Sequence, residues 1–171
     1  MSTNPLATNQ RSVLVIGGGP AAWRFAKAFI EKDAGASHLT VLNDELYLPY
    51  DRVALEQIFI DPNRDLTLGN SDLWTSPHIT LVNGVSATAI DRKNRTVRAT
   101  DGRSYPYDEL VLATGSSAVK IPIPGSESAH VFRTIDGVKN IVSEMERLSE
   151  KLGRAPKAIV VGGGLLGLEA A

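Results

Sequence analysis

The chain contains no cysteine. Within these residues that excludes a disulfide scaffold, a thiol nucleophile, a redox-active cysteine pair and a cysteine-ligated zinc or iron–sulfur site. Net charge is scarce as well. The 18 basic and 19 acidic side chains leave −1 at neutral pH, which is no electrostatic footprint for nucleic acid or an acidic membrane surface. No apolar run approaches the length that spans a bilayer. The opening MSTNPLATNQ is polar and lacks the apolar segment of a secretory signal, so residues 1–10 read as a frayed tail. His38, His78 and His130 are scattered without metal-ligand spacing; they read as loop or surface residues, and no metal site is expected. No Ser–His–Asp or paired-carboxylate arrangement can be assembled, so no catalytic residue is assigned. These absences together point to a reducing, cytoplasmic setting.

What is present is the composition of a globular protein, 43% apolar and 22% charged over 171 residues, enough for a core. Ser12 to Ile16 (SVLVI) is apolar and β-branched without alternation, which predicts a strand buried on both faces. Gly17 to Pro20 forms a tight turn. Ala21 to Lys32 carries apolar residues at helical spacing (Ala22, Phe25, Ala26, Phe29, Ile30), and Asp33–Gly35 ends it. Leu39 to Leu42 reads as a second buried strand. Strand, helix and strand in so few residues make a βαβ unit with parallel strands.

Pro49 interrupts any helix through LYLPYDRVALEQIF; one is predicted to start near Asp51 with that residue as its cap. Asp61–Asn63 reads as a turn and Leu66 to Pro77 as irregular. From Ile79 the runs ITLV, VSATAID, TVRAT and YPYDELVLAT are short and extended. Asn83-Gly84, Lys93-Asn94 and Asp101-Gly102 punctuate them as turns. Val85 to Tyr107 therefore reads as an inserted antiparallel meander, with Leu110 to Ala113 returning to the parallel sheet. KIPIPGSES is a proline-rich crossing loop. Ile135 to Lys151 is an amphipathic helix with Val138, Ile141, Val142, Met145 and Leu148 on one face, stopped by Gly153. Ala158 to Val161 is the last predicted strand.

VLVIGGGPAAWRFA near the start and AIVVGGGLLGLEAA near the end are the same device. Gly17, Gly19 and Ala22 match G-x-G-x-x-A, and Gly162, Gly164 and Gly167 match G-x-G-x-x-G. The first glycine permits a sharp strand-to-helix turn. The second admits a pyrophosphate close to the backbone, and the third small position packs helix on strand. The pyrophosphate would lie on the helix N-terminus, where unpaired N–H groups and the dipole favour anions. The bland reading of one such turn is a strand–helix connection that needs glycine; the βαβ context of the first copy favours the nucleotide. Asp44 and Glu45, at the end of the second strand, are either solvated loop acids or acceptors for a ribose hydroxyl. Ala113-Thr114-Gly115 is either a strand end or a backbone crossing near a nucleotide. Arg52 and Arg133 are either surface charges or cations facing a phosphate or an electron-rich ring. Trp23 and Trp74 read as packing residues.

With these residues in hand the chain resembles the two-dinucleotide flavoprotein fold of pyridine-nucleotide-dependent FAD oxidoreductases. LPYDRVAL, YDELVLATGS, IPIPG, FRTIDGV and GGGLLGLEAA are similar, more narrowly, to the N-terminal part of the large subunit of assimilatory NAD(P)H nitrite reductases. The resemblance implies an α/β fold: a Rossmann-like FAD-binding domain of parallel sheet and flanking helices with an inserted β-meander, truncated at the start of a second Rossmann unit. Residues 11–153 would be the FAD-binding domain without its closing segment, and 154–171 the start of an NAD(P)-binding domain.

The resemblance places Gly17, Gly19, Pro20 and Ala21 on the FAD pyrophosphate, and Asn43, Asp44 and Glu45 at the adenosine ribose. It brings Arg52 and Arg133 to the flavin, the Ala87 backbone to the adenine, and Ala113, Thr114 and Gly115 alongside FAD. Gly162, Gly164 and Gly167 would open the NAD(P) site, with Glu169 between the cofactors. YDRVALEQ departs from the family in lacking the serine often found just after the leucine. The implied function is an electron-input module: hydride from NAD(P)H to FAD, then electrons to iron–sulfur and sirohaem centres in domains outside this chain. A nitrite reductase small subunit is the implied protein partner. Rubredoxin or ferredoxin reductase-like flavoproteins are the alternative, and a non-catalytic nucleotide-binding module is the rival of another class. The chain alone is expected to bind FAD weakly or not at all, and not to reduce nitrite.

Overall fold

The computed structural model describes residues 10–33, 35–119 and 121–171. The tail expected over residues 1–9 lies outside them. Gln10 is no part of a tail: its side-chain amide donates to the carbonyls of Gly35 (3.0 Å) and Ser37 (3.1 Å). The chain divides into two compact units, one of residues 1–50 and 67–115, the other of 51–66 and 116–171.

The first unit is built on a parallel sheet. Strand β1 (Arg11–Ile16) lies between β2 (Ser37–Asn43) and β7 (Glu109–Leu112), and β3 (Ile79–Asn83) pairs with β2, giving the order β3-β2-β1-β7. All three ladders are parallel, with Val15 opposite both Val41 and Val111. ITLV, one of the short extended runs, is therefore the fourth strand of the main sheet. Helix α1 (Pro20–Asp33) starts on proline, whose missing N–H costs nothing in a first turn. Its end is held by the Asp33 carboxylate, which accepts from the Ser37 N–H at 2.6 Å and hydroxyl at 3.0 Å.

The unbroken apolar run of β1 has its explanation in the packing. Val13 and Val15 face α1, in a cluster with Ala22, Ala26, Leu39, Val41 and Ile79. Leu14 and Ile16 face the other way, against Leu42, Val85, Val97 and Ala99. The cover on that second face is an antiparallel sheet of β4 (Ala87–Asp91), β5 (Thr96–Ala99) and β6 (Ser104–Pro106), in the order β4-β5-β6. Helix, parallel sheet and meander thus form three layers, and a strand in the middle layer has no solvent face to make polar.

The second unit is smaller. Asp51 caps a 3-10 turn at Arg52–Ala54, its side chain accepting from the Val53 N–H. The helix expected from Asp51 is thus one tight turn followed by the short α2 (Gln57–Ile60). Leu55, Ile58 and Leu66 are buried there with Ile135 and Val138 of α3 (Ile135–Leu152). The rings of Phe59 and Phe132 stack at 5.6 Å. Thr134 caps α3 by accepting from the Gly137 N–H, and Gly153 ends it at φ +62°. Of the expected apolar face, Val138 is buried, Ile141, Val142 and Leu148 are half-buried, and Met145 is exposed.

Ala158 to Val161 forms no strand. An extended run without a partner has no ladder to join. Ile159 is 90% exposed. The short helix α4 (Leu165–Ala170) follows. No described helix is long and apolar enough to cross a membrane.

Candidate functional site

In the first unit the glycine turn joins β1 to α1 at the carboxyl edge of the parallel sheet. The chain leaves β1 for β2 and β3 on one side, and β7 pairs on the other. Such a divergence marks the place where open α/β sheets take ligands. Gly17 sits between the two neighbours. Its N–H donates to the Leu42 carbonyl at 2.8 Å, while the next strand is tied by the Ala113 N–H donating to the Ile16 carbonyl at 2.8 Å. At φ +111° a Cβ on Gly17 would collide with the Ala113 carbonyl, and one on Gly18 with the Asn43 side chain. The glycines therefore let three strand ends and a helix start converge.

Gly19 accepts from the Trp23 N–H at 3.1 Å, opening α1, and Pro20 and Ala21 are exposed beside it. Ala22 and Ala26 are fully buried, so helix and sheet approach closely. The first turn of α1 carries no acidic residue to compete for its N–H groups. Such a first turn has donors without intrahelical partners and a favourable dipole, which suits a pyrophosphate.

The three residues expected at the ribose differ sharply. Asn43 is 2% exposed. Its amide donates to the Tyr47 carbonyl (2.8 Å) and to Asn83 Oδ1 (2.9 Å), and its oxygen accepts from the Glu45 N–H (3.2 Å). Its polar atoms are thus engaged within the protein. Asp44 is exposed. Glu45 is half-buried, and its Oε2 accepts from the Tyr50 hydroxyl at 2.8 Å. Ala87 opens β4 on the same edge, where the Val85 N–H donates to the Asn43 carbonyl at 2.9 Å. Ala113 is half-buried, and Thr114 and Gly115 are exposed. The first copy of the motif, the acidic pair, Ala87 and the Ala113–Gly115 segment are accordingly gathered in one unit.

In the second unit the two arginines meet. Arg52 Nη1 donates to the Arg133 carbonyl at 3.2 Å. The Arg133 guanidinium is itself fixed, Nε donating to the Ser116 carbonyl (3.0 Å) and Nη2 to the Ser116 hydroxyl (2.9 Å). The second glycine turn repeats the backbone of the first: Gly162 has φ +126°. A Cβ on Gly167 would strike the Gly162 carbonyl, whereas those on Gly162 and Gly164 would meet nothing. Gly164 accepts from the Leu168 N–H at 3.0 Å, and Glu169 is exposed on α4.

Tyr50, Asn83 and Ser116 were not anticipated. Tyr50 carried the one usable signal, a tyrosine locked by the preceding proline a few residues past the acidic pair. Nothing in the pattern marks Asn83 or Ser116, whose partners are distant in sequence. Of the histidines, His38 departs from expectation. His38 lies on β2, not in a loop, and its Nε2 bonds the Thr80 hydroxyl at 2.8 Å across the ladder. Burial, and then the nearby His78, hold its pKa below the ordinary value.

The chain is similar to several known proteins. The large subunit of nitrite reductase [NAD(P)H] of Klebsiella oxytoca is 34% identical over 163 residues, 93% of this chain and 16% of that one. NADH-rubredoxin oxidoreductase of Clostridium acetobutylicum is 32% identical over 162 residues, 93% of this chain and 40% of that one. The crystal structure of NADH:rubredoxin oxidoreductase from the same organism superposes with a TM-score of 0.80 at 30% identity, over 94% of this chain and 41% of that one. The chain thus spans less than half the length of the relatives it matches. Residues 11–171 match the family model described as pyridine nucleotide-disulphide oxidoreductase, and the chain belongs to that family.

Proposed function

We propose that this chain is the FAD-binding electron-input module of an NAD(P)H-dependent oxidoreductase of the nitrite reductase type. Residues 11–153 form the FAD-binding part, and residues 154–171 open the NAD(P)-binding part. The observation that carries the reading is the β1–α1 turn, set at the switch point with Gly17 pressed on Ala113 and a first helical turn free of acidic side chains. The residues present fit the adenosine-diphosphate half of the cofactor. The N-terminus of α1 takes the pyrophosphate, and a carboxylate at the end of β2 takes the ribose.

Bound FAD supplies the conversion of a hydride from NAD(P)H into single electrons for iron–sulfur and sirohaem centres outside this chain. The protein's share is position and electrostatics. Arg133, locked on Ser116, and Arg52, locked on the Arg133 backbone, hold two fixed cations for an electron-rich ring. With no cysteine in these residues, dithiol–disulphide exchange is not carried by them. A reductase for rubredoxin or ferredoxin is the second reading, favoured by the rubredoxin oxidoreductase fold match.

Calorimetric titration of the chain with ADP tests the nucleotide reading; measurable binding that Gly17→Val abolishes is expected, and no binding would overturn it. NADH-dependent nitrite reduction by the complete gene product, set against reduction of rubredoxin and ferredoxin, separates the two reactions. Transfer to rubredoxin with no nitrite turnover would remove the nitrite reading.

A further inference from the structure

Of the two acidic residues after β2, only Glu45 is held. Its N–H donates to the buried Asn43 side chain (3.2 Å), and its carbonyl accepts from Gly84 (3.1 Å). The head of the side chain receives the Tyr50 hydroxyl at 2.8 Å. Tyr50 cannot wander: it is 4% exposed, follows the fully buried Pro49, pairs with Thr67 in an antiparallel bridge and meets the Tyr47 ring edge-on at 6.3 Å. Asp44 is exposed, and among the described residues no hydrogen bond to its carboxylate is found.

We propose that Tyr50 is a positioning residue for Glu45, fixing its carboxylate at the carboxyl edge of β2 so that it discriminates ribose hydroxyls on a bound adenine nucleotide. The inference rests on the nucleotide reading of the first unit. A phenol donating to a carboxylate makes a charge-assisted bond. A glutamate side chain otherwise gives up rotamer freedom when it engages a ligand. A buried donor that has already ordered it removes that cost and fixes its direction. Asn43 serves beneath it as scaffold: its amide ties the ends of β2 and β3 through Asn83 and aligns the Glu45 backbone.

The test uses the chain itself with ADP and 2′,3′-dideoxyadenosine diphosphate, titrated into the unmodified protein and into Tyr50→Phe, Glu45→Ala, the double variant and Asp44→Asn. The unmodified protein is expected to prefer ADP. Tyr50→Phe should cut that preference by about tenfold, or ~1.4 kcal/mol. Glu45→Ala should remove it, the double variant should match Glu45→Ala, and Asp44→Asn should keep it. Because the ratio compares two ligands on the same folded protein, general destabilisation by Tyr50→Phe leaves it unmoved. Equal weakening of both ligands, or an unchanged ratio in Tyr50→Phe while Glu45→Ala removes it, overturns the positioning role alone. A preference that survives Glu45→Ala, or that Asp44→Asn erases, overturns the assignment of Glu45. A protein that binds neither ligand overturns the nucleotide reading together with this one.

Discussion

At the scale of single residues, the glycines divide by what a side chain would meet. Gly17 combines φ +111° with the Ala113 carbonyl in the space a Cβ would take. Gly153 has φ +62° and open surroundings. Both substitutions to alanine carry backbone strain, but only the first forces strand ends apart. Gly17→Ala is expected to cost roughly 2–4 kcal/mol and Gly153→Ala about 1 kcal/mol, read from urea unfolding midpoints. Equal costs would mean that the carbonyl contact is unimportant. Asn43 supplies the second residue-scale prediction. Replacing it with alanine orphans the Tyr47 carbonyl, the Asn83 side chain and the Glu45 N–H in a buried spot, at a cost of about 2–3 kcal/mol. An unchanged unfolding midpoint in Asn43→Ala would contradict the network. The motif made the need for Gly17 legible, because a strand-to-helix turn of that spacing demands it. Asn43 was legible only as a polar residue near a ribose. Its burial depends on β3, which supplies Asn83, and asparagine at a strand end ordinarily faces water.

Among elements, β1 was readable because a continuous apolar run has one economical explanation, cover on both faces, and the structure supplies α1 and the meander as the covers. The meander is therefore part of the core. Val97 on β5 is fully buried against Leu14 and Ile16. Val97→Ala is expected to destabilise the protein by about 1–3 kcal/mol. A loss near zero would show the meander to be an independent flap. The pairing of β2 with β3 brings His38 and His78 together, a meeting that their spacing did not announce. Burial and His78 lower the His38 pKa, so the folded state resists a proton that the unfolded chain accepts near its ordinary value. Folding stability should accordingly hold above that value and fall as pH drops from about 7 toward 5. Asp91, Asp101 and Glu144, whose pKa values hydrogen bonds lower, lose their contribution in a more acidic window. His38→Gln, which keeps a partner for Thr80, should flatten the first slope and leave the acidic one. An identical slope in thermal melts at pH 7, 6 and 5 would remove His38 as its source.

For the whole molecule, the compact units ignore chain order: residues 51–66 fold with 116–171 because Phe59 stacks on Phe132 and α3 buries the face of α2. Helical spacing revealed α3, but no local pattern tells which distant segment its apolar face will meet. Near the second glycine turn the same limit acts in reverse. The run KAIVV has the composition of a buried strand, yet strand formation is a property of the pair, and among the described residues this run joins no ladder. The result is an unusual concentration of exposed apolar side chains: Ile159 at 90%, Val161 at 64%, Leu165 at 80% and Leu168 at 69%. An unpaired apolar stretch of this kind favours association with other copies. Because these side chains bury little, their replacement by charge should leave the unfolding midpoint in place. Ile159→Lys combined with Leu165→Glu is therefore expected to lower self-association, seen by sedimentation velocity across a concentration series, with the urea midpoint shifted by less than about 0.5 kcal/mol. A large loss of stability would show that the segment packs on the fold. Unchanged association would place the sticky surface elsewhere, with the half-exposed Met145 of α3 as the next position to charge.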